Sequence, residues 1–133
     1  MKFRYKKIAQ RILRPVIPIS IFYKNGKPVK YFALVDSGAD RSYMASEIAP
    51  LLDIPNYKLG KKDSVGGING SSDAYFHEVT VSIGGWPYPM HVGFMEKSSL
   101  TILGYGVLGH RPLFELFSVK FDFQKEEVEL KER

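Results

Sequence analysis

The sequence contains no cysteine among its 133 residues. This absence excludes a disulfide framework, a thiol nucleophile and a cysteine-ligated zinc site. The sequence also has no apolar run long enough for a signal peptide or a membrane-spanning helix. We therefore expect a cytoplasmic protein without a membrane span, and the length fits one main domain with a hydrophobic core.

Acidic residues are absent from the first fourteen positions, which hold six basic ones: Lys2, Arg4, Lys6, Lys7, Arg11 and Arg14. The formal net charge of the chain is +5, so the rest of the chain is close to neutral. We predict a basic N-terminal arm at 1–14 and a folded domain at 15–133. A solvated arm is the favoured interpretation, and contact with nucleic acid, a membrane or an acidic partner is the alternative. No nucleic-acid partner is expected, because basic residues do not alternate with aromatic residues further along the chain.

Short apolar segments separated by turn residues indicate an all-β domain. Strands are predicted at 15–23, 29–35, 74–83, 86–94 and 100–103, and a closing hairpin at 116–123 and 128–130. Helices are predicted in two places. The first is 44–52, with Ser46 as its N-cap, and the second is one helical turn at 105–109.

The segment ALVDSGADRSYM at 33–44 runs from apolar residues directly into a carboxylate. An acid at the end of a buried strand is costly unless the protein uses it. Asp36 could instead be an ordinary turn aspartate. A phosphate-binding loop is a poor alternative, since the glycine-rich segment 66–72 lacks the required lysine. Asp36 and Asp40 have no second acidic cluster to complete a metal site, so neither a metal nor a cofactor is predicted.

Three motifs resemble those of the retropepsin-like aspartic proteases: Asp-Ser-Gly-Ala at 36–39, Gly-Gly-Ile-Asn-Gly at 66–70 and Ile-Leu-Gly at 102–104. They occur in the family's order and with the spacing of a single lobe. The resemblance covers about residues 15 to 131. It implies an all-β, retropepsin-like acid protease fold: a closed, barrel-like single lobe with a flap hairpin and one or two short helices.

The resemblance also implies a role for each matching residue. Asp36 would be the catalytic carboxylate, Ser37 would hydrogen-bond to a partner loop, and Gly38 would let the backbone approach Asp36 closely. The remaining matches would line the substrate cleft (Ala39 and Asp40), form the flap (Gly67, Ile68, Asn69 and Gly70), and support the active site (Ile102, Leu103 and Gly104).

The chain has one such Asp-Ser-Gly motif, whereas aspartic proteases use two carboxylates that share a proton. The resemblance therefore implies a homodimer with one Asp36 from each subunit, acting as an aspartic endopeptidase on extended peptides or proteins.

Tyr105 departs from the pattern of viral members, which have an arginine after the glycine of the third motif. That arginine pairs with the acid at the position of Asp40, and Arg41 or Arg111 are candidates to replace it. The departure keeps an alternative open: a catalytically silent retropepsin-like module for dimerisation or peptide binding.

Overall fold

A computed structural model describes residues 1–67, 70–96 and 104–133 of the chain. Twelve strands are found in the described part of the chain: β1 Lys2–Arg4, β2 Lys6–Ala9, β3 Ile12–Arg14, β4 Val16–Phe22, β5 Val29–Val35, β6 Tyr43–Ala45, β7 Lys61–Gly67, β8 Gly70–Ile83, β9 Trp86–Met95, β10 Gly106–Leu108, β11 Phe117–Asp122 and β12 Glu127–Glu132. Helix α1 spans Ile48–Leu51, and short helical segments span Tyr57–Leu59 and His110–Phe114.

Six strands form a closed ring in the order β4, β5, β10, β6, β9 and β8, because β8 also pairs with β4. Strand β7 joins β8 as the outer strand of a hairpin. Two of the ring's pairings, β5 with β10 and β6 with β9, are parallel, and the others are antiparallel. The mostly-β fold with its closed ring confirms the predicted fold class.

The main hydrophobic core fills the inside of this ring. Alternate residues of β4, such as Ile17, Ile19 and Ile21, are buried there, as the period of two in a strand requires. Phe94 of β9 and Phe117 of β11 are fully buried in the same core. The closing hairpin of β11 and β12 is therefore an integral part of the domain.

The predicted helix at 44–52 was wrong in its first part. Residues 43–45 form β6, which lies between β10 and β9, and the helix begins only at Ile48. The N-cap is Glu47, whose side chain makes no capping hydrogen bond, so the prediction of Ser46 as the cap was also wrong. Pairing on both sides of a strand outweighed the local preference for a helix.

The predicted helical turn at 105–109 was likewise wrong, because Gly106–Leu108 form β10. Its parallel pairing with β5 needs an extended backbone. The predicted strand at 100–103 lies outside the described residues. The other predicted strands are confirmed, and 29–35 matches β5 in both bounds.

The basic segment 1–14 is not the solvated arm that the charge pattern predicted. Strand β1 pairs antiparallel with β12, and β2 and β3 form a two-stranded hairpin. Phe3 and Tyr5 pack against the main core. The apolar side chains between the basic ones explain this difference, since they give the segment surface to bury. Within the described ranges, no helix has the length and apolar character needed to cross a membrane.

Candidate active site

Asp36 lies at the end of β5, where the strand leaves the ring. Its backbone N–H donates to the carbonyl oxygen of Leu108 in β10, at 3.0 Å. One residue earlier, the N–H of Val35 donates to the carbonyl oxygen of Pro15, at 2.9 Å. The backbone that carries the carboxylate is therefore fixed from both sides, while the Asp36 residue itself stays half-exposed.

The turn after Asp36 folds back on the aspartate. The N–H of Gly38 donates to Asp36 Oδ1 at 2.8 Å, and the N–H of Ala39 donates to the Asp36 carbonyl oxygen at 3.3 Å. A Cβ atom at position 38 would lie 3.2 Å from Asp36 Oδ1, a tight contact that a glycine avoids. In the described part of the chain, the other carboxylate oxygen has no hydrogen-bond partner. It is thus available to a water molecule.

The far side of the loop is anchored by the segment after β10. The N–H groups of His110 and Arg111 donate to the carbonyl oxygens of Ala39 and Asp40, at 2.8 and 3.0 Å. The hydroxyl of Ser42, which is fully buried, donates to the carbonyl oxygen of Arg111 at 3.0 Å and accepts from the N–H of Gly109 at 3.1 Å. Sequence reasoning missed Ser42, because nothing in the local sequence distinguishes it from the other polar residues of the loop.

A cleft of about 420 Å³ separates this loop from the flap strand β7. The loop side of the cleft is formed by Gly38, Ala39, Asp40, Arg41 and Tyr43, and the flap side by Asp63, Ser64, Val65 and Gly66. An extended peptide could lie in such a cleft as an added strand. The cleft residues Arg41, Tyr43, Asp63 and Ser64 were not predicted from the sequence.

One arginine connects the loop to the flap hairpin. Arg41 Nη1 lies 2.6 Å from Asp63 Oδ2 on β7, and its guanidinium stacks over the ring of Phe76 on β8, at 4.9 Å from the centroid. Both charged side chains are nearly half-exposed, so the ion pair contributes little to stability. Arg41 thus pairs with Asp63 of the flap and not with Asp40. This candidate therefore does not take the place of the arginine that pairs with this acid in viral members.

Tyr43 adds a neutral hydroxyl to the cleft. Burial raises the pKa of Tyr43; Arg41 opposes this change, and the negative charges of Asp40 and Asp63 reinforce it. The hydroxyl therefore stays protonated throughout the neutral and acidic range and can donate a hydrogen bond.

Five of the residues that the sequence predicted for the site, Asp36, Ser37, Gly38, Ala39 and Asp40, are consecutive in one loop. Three of them, Gly38, Ala39 and Asp40, face the flap strand β7 across the cleft.

In the flap, Gly67 and Gly70 are the last paired residues at the end of β7 and the start of β8. Gly104 lies in a turn with φ of 75°, a conformation that favours glycine. The other predicted residues, Ile68, Asn69, Ile102 and Leu103, lie outside the described residues.

A single lobe with an aspartate loop at the end of a ring strand and a hairpin over the cleft defines the retropepsin-like aspartic protease class. The sequence profile of a family described as aspartyl protease matches residues 17–110, which span the aspartate loop and the flap. The chain therefore belongs to the aspartyl protease family. The sequence matches none of the curated proteins with which it was compared.

Three of the solved structures that are similar to this chain come from a virus, a bacterium and a protozoan. The retropepsin-like aspartic protease from Rickettsia conorii has a TM-score of 0.65 and 21% identity, covering 96% of this chain and 95% of its own. The retroviral protease-like domain of Ddi1 from Leishmania major has a TM-score of 0.60 and 17% identity, covering 88% and 87%. The EIAV protease complexed with the inhibitor HBY-793 has a TM-score of 0.55 and 24% identity, covering 77% and 88%. At these identities the likeness establishes the fold.

Proposed function

We propose that this protein is an aspartic endopeptidase that acts as a homodimer on extended peptide segments. The observation that carries the proposal is the aspartate loop itself: a partly exposed Asp36 directly after a core strand, with one carboxylate oxygen held by Gly38 and a cleft of about 420 Å³ along the next residues, Gly38 to Asp40. The membership of the chain in the aspartyl protease family supports this proposal.

The chemistry needs a second carboxylate, and a second copy of the chain is the proposed source. Ser37 and Gly38 are exposed, so the loop presents an open surface to a partner. In the described ranges the Ser37 hydroxyl has no hydrogen-bond partner, and it is free to bond across to the partner's loop. Symmetry would then place Asp36 and Asp36 of the partner subunit side by side on the two-fold axis.

Two carboxylates about 3 Å apart share one proton. In the proposed reaction, the ionised carboxylate takes a proton from a water molecule as the water oxygen attacks the scissile carbonyl carbon. The protonated carboxyl group gives its proton to the carbonyl oxygen, which leaves a tetrahedral diol. Breakdown of the diol breaks the C–N bond: the proton held by the first aspartate moves to the leaving nitrogen, and one hydroxyl of the diol returns its proton to the second aspartate as the new C=O forms.

The remaining proposed roles concern substrate binding. Ala39 and Asp40 would contact the peptide from the loop side. Gly67, Ile68, Asn69 and Gly70 would cover it from the flap side and exclude water. Ile102, Leu103 and Gly104 would support the aspartate loop from behind.

The test is cleavage of a diverse peptide mixture from about pH 3 to about pH 7, because the reaction needs one ionised and one protonated carboxyl group. Wild type is compared with Asp36→Asn, and products are read by mass spectrometry. Asp53→Asn is the matched control, since Asp53 is exposed and asparagine tolerates its positive φ of 60°. We expect cuts from wild type and the control, inhibition by a statine-type compound, and none from Asp36→Asn. Normal cleavage by Asp36→Asn would disprove the proposal.

The dimer is tested separately by light scattering, where a mass of twice 15.1 kDa is expected. A protein that remains monomeric with inhibitor present, and that cuts nothing, would favour the rival function of a silent peptide-binding module.

A further inference from the structure

An arginine of the basic N-terminal segment reaches the buried tyrosine that directly follows the third motif. Arg14 Nη1 donates a hydrogen bond to the hydroxyl of Tyr105 at 2.8 Å, across 91 positions of sequence. Tyr105 is only 3% exposed, and Arg14 is half-buried. A hydrogen bond to a charged donor in such surroundings is stronger than one between neutral groups at the surface.

The two ends of this hydrogen bond lie on either side of the strand that carries Asp36. Strand β5 pairs with β4 on one side and with β10 on the other. Arg14 directly precedes Pro15, whose carbonyl oxygen accepts from the N–H of Val35. Tyr105 directly precedes β10, in which the Leu108 carbonyl oxygen accepts from the N–H of Asp36. The Arg14–Tyr105 contact therefore joins the residues that lead into the two neighbours of β5: Arg14, the last residue of β3, and Tyr105.

We propose that Arg14 is a positioning residue for the Asp36 carboxylate, acting through Tyr105. By linking the residues that lead into β4 and β10, the contact keeps the carbonyl groups of Pro15 and Leu108 hydrogen-bonded to the chain where it enters the aspartate loop. The carboxylate then has one orientation toward its partner and toward the attacking water. The inference rests on the proposed protease function for its kinetic consequence, although the structural link itself does not depend on it.

The kinetic test compares Arg14→Ala, Tyr105→Phe and the double variant with wild type on one cleaved peptide. A misplaced catalytic group lowers turnover more than binding, so we expect kcat to fall about fivefold to tenfold while KM changes less than about twofold. The double variant should be no slower than either single variant, because both remove the same contact. Arg14→Lys, which retains a cationic donor, should recover part of the loss.

Arg4→Ala is the matched control. It removes one positive charge from the same segment, and Arg4 is exposed, with no side-chain hydrogen bond or ion pair to the described residues. The control should leave kcat unchanged. All rates are measured over a range of protein concentrations. If the activity of a variant returned to the wild-type value at higher protein concentration, the contact would act on dimer strength, and the positioning role would be overturned.

Hydrogen exchange provides a readout that does not need activity. Loss of the link should speed exchange of the Asp36 N–H about tenfold, while the N–H of Val81 in β8, which pairs with Ile21 at the end of β4 remote from Arg14, keeps its protection. Equal acceleration at both sites would indicate general destabilisation and overturn the proposal, as would unchanged exchange and kcat in both single variants. If wild type itself cuts nothing, the proposed function fails, and the exchange pattern still decides whether Arg14 holds the loop.

Discussion

Replacement of Ser42 by alanine tests how strongly the aspartate loop is anchored. The change removes a hydroxyl group whose oxygen accepts from the buried N–H of Gly109 and whose O–H donates to the carbonyl oxygen of Arg111. The hydrogen bond to the Arg111 carbonyl is only partly buried, so water can replace the hydroxyl there. The N–H of Gly109 is buried and would have no partner, and an unpaired buried group costs about 1–3 kcal/mol. We therefore expect Ser42→Ala to lower the free energy of unfolding by about 2 kcal/mol.

This loss corresponds to a measurable shift in melting temperature. Unfolding entropy is roughly 2.1 cal/mol/K per residue, or about 0.28 kcal/mol/K for this chain, so about 2 kcal/mol lowers the midpoint by about 7 °C. Circular dichroism is followed during heating and during urea unfolding, at one fixed protein concentration. Ser118→Ala, an exposed serine in β11, is the control and should change the midpoint by less than about 2 °C. If Ser42→Ala matches this control, the buried hydroxyl does not anchor the loop.

Three further predictions use the same unfolding measurements. Gly109→Ala should destabilise the protein by about 3 kcal/mol or more, because a Cβ atom there would overlap the carbonyl oxygens of Ala39 and Arg41; wild-type stability would contradict this. Glu126→Gly should stabilise it by about 0.5–1 kcal/mol by relieving a positive φ of 55°, and a loss of stability would contradict the strain. Asp63→Asn should cost less than about 1 kcal/mol at about 0.1 M salt and nothing at about 1 M, whereas a salt-independent cost would exclude an ionic origin.

The fold was predictable from the sequence wherever local pattern and tertiary pairing agree. Strand β5 is such a case, since its mainly apolar residues end where the turn segment Asp-Ser-Gly begins at Asp36. Residues 43–45 are the opposite case, because their spacing suits a helix and only the neighbouring strands β9 and β10 make them extended. Partners that arrive from distant parts of the chain have no signature in the local sequence.

The candidate site divides in the same way. The aspartate loop and the flap glycines have local motifs, so the sequence identifies them directly. The contacts of Ser42, Arg41 and Arg14 have no local motif, since each contact joins residues that lie far apart in sequence. Tyr105 could be recognised as a departure from the family pattern, but the sequence alone did not indicate that Arg14 is its hydrogen-bond partner.

The position of β10 in the ring has a consequence for how the protein is made. This three-residue strand lies between β5 and β6, which are complete more than sixty residues earlier in the chain. During synthesis, the aspartate loop therefore lacks its support from Leu108 until the ribosome has passed that residue. Folds that depend on such distant pairings form slowly, in milliseconds to seconds for small domains. A nascent chain would thus contain the Asp-Ser-Gly-Ala motif well before it contains an organised aspartate loop.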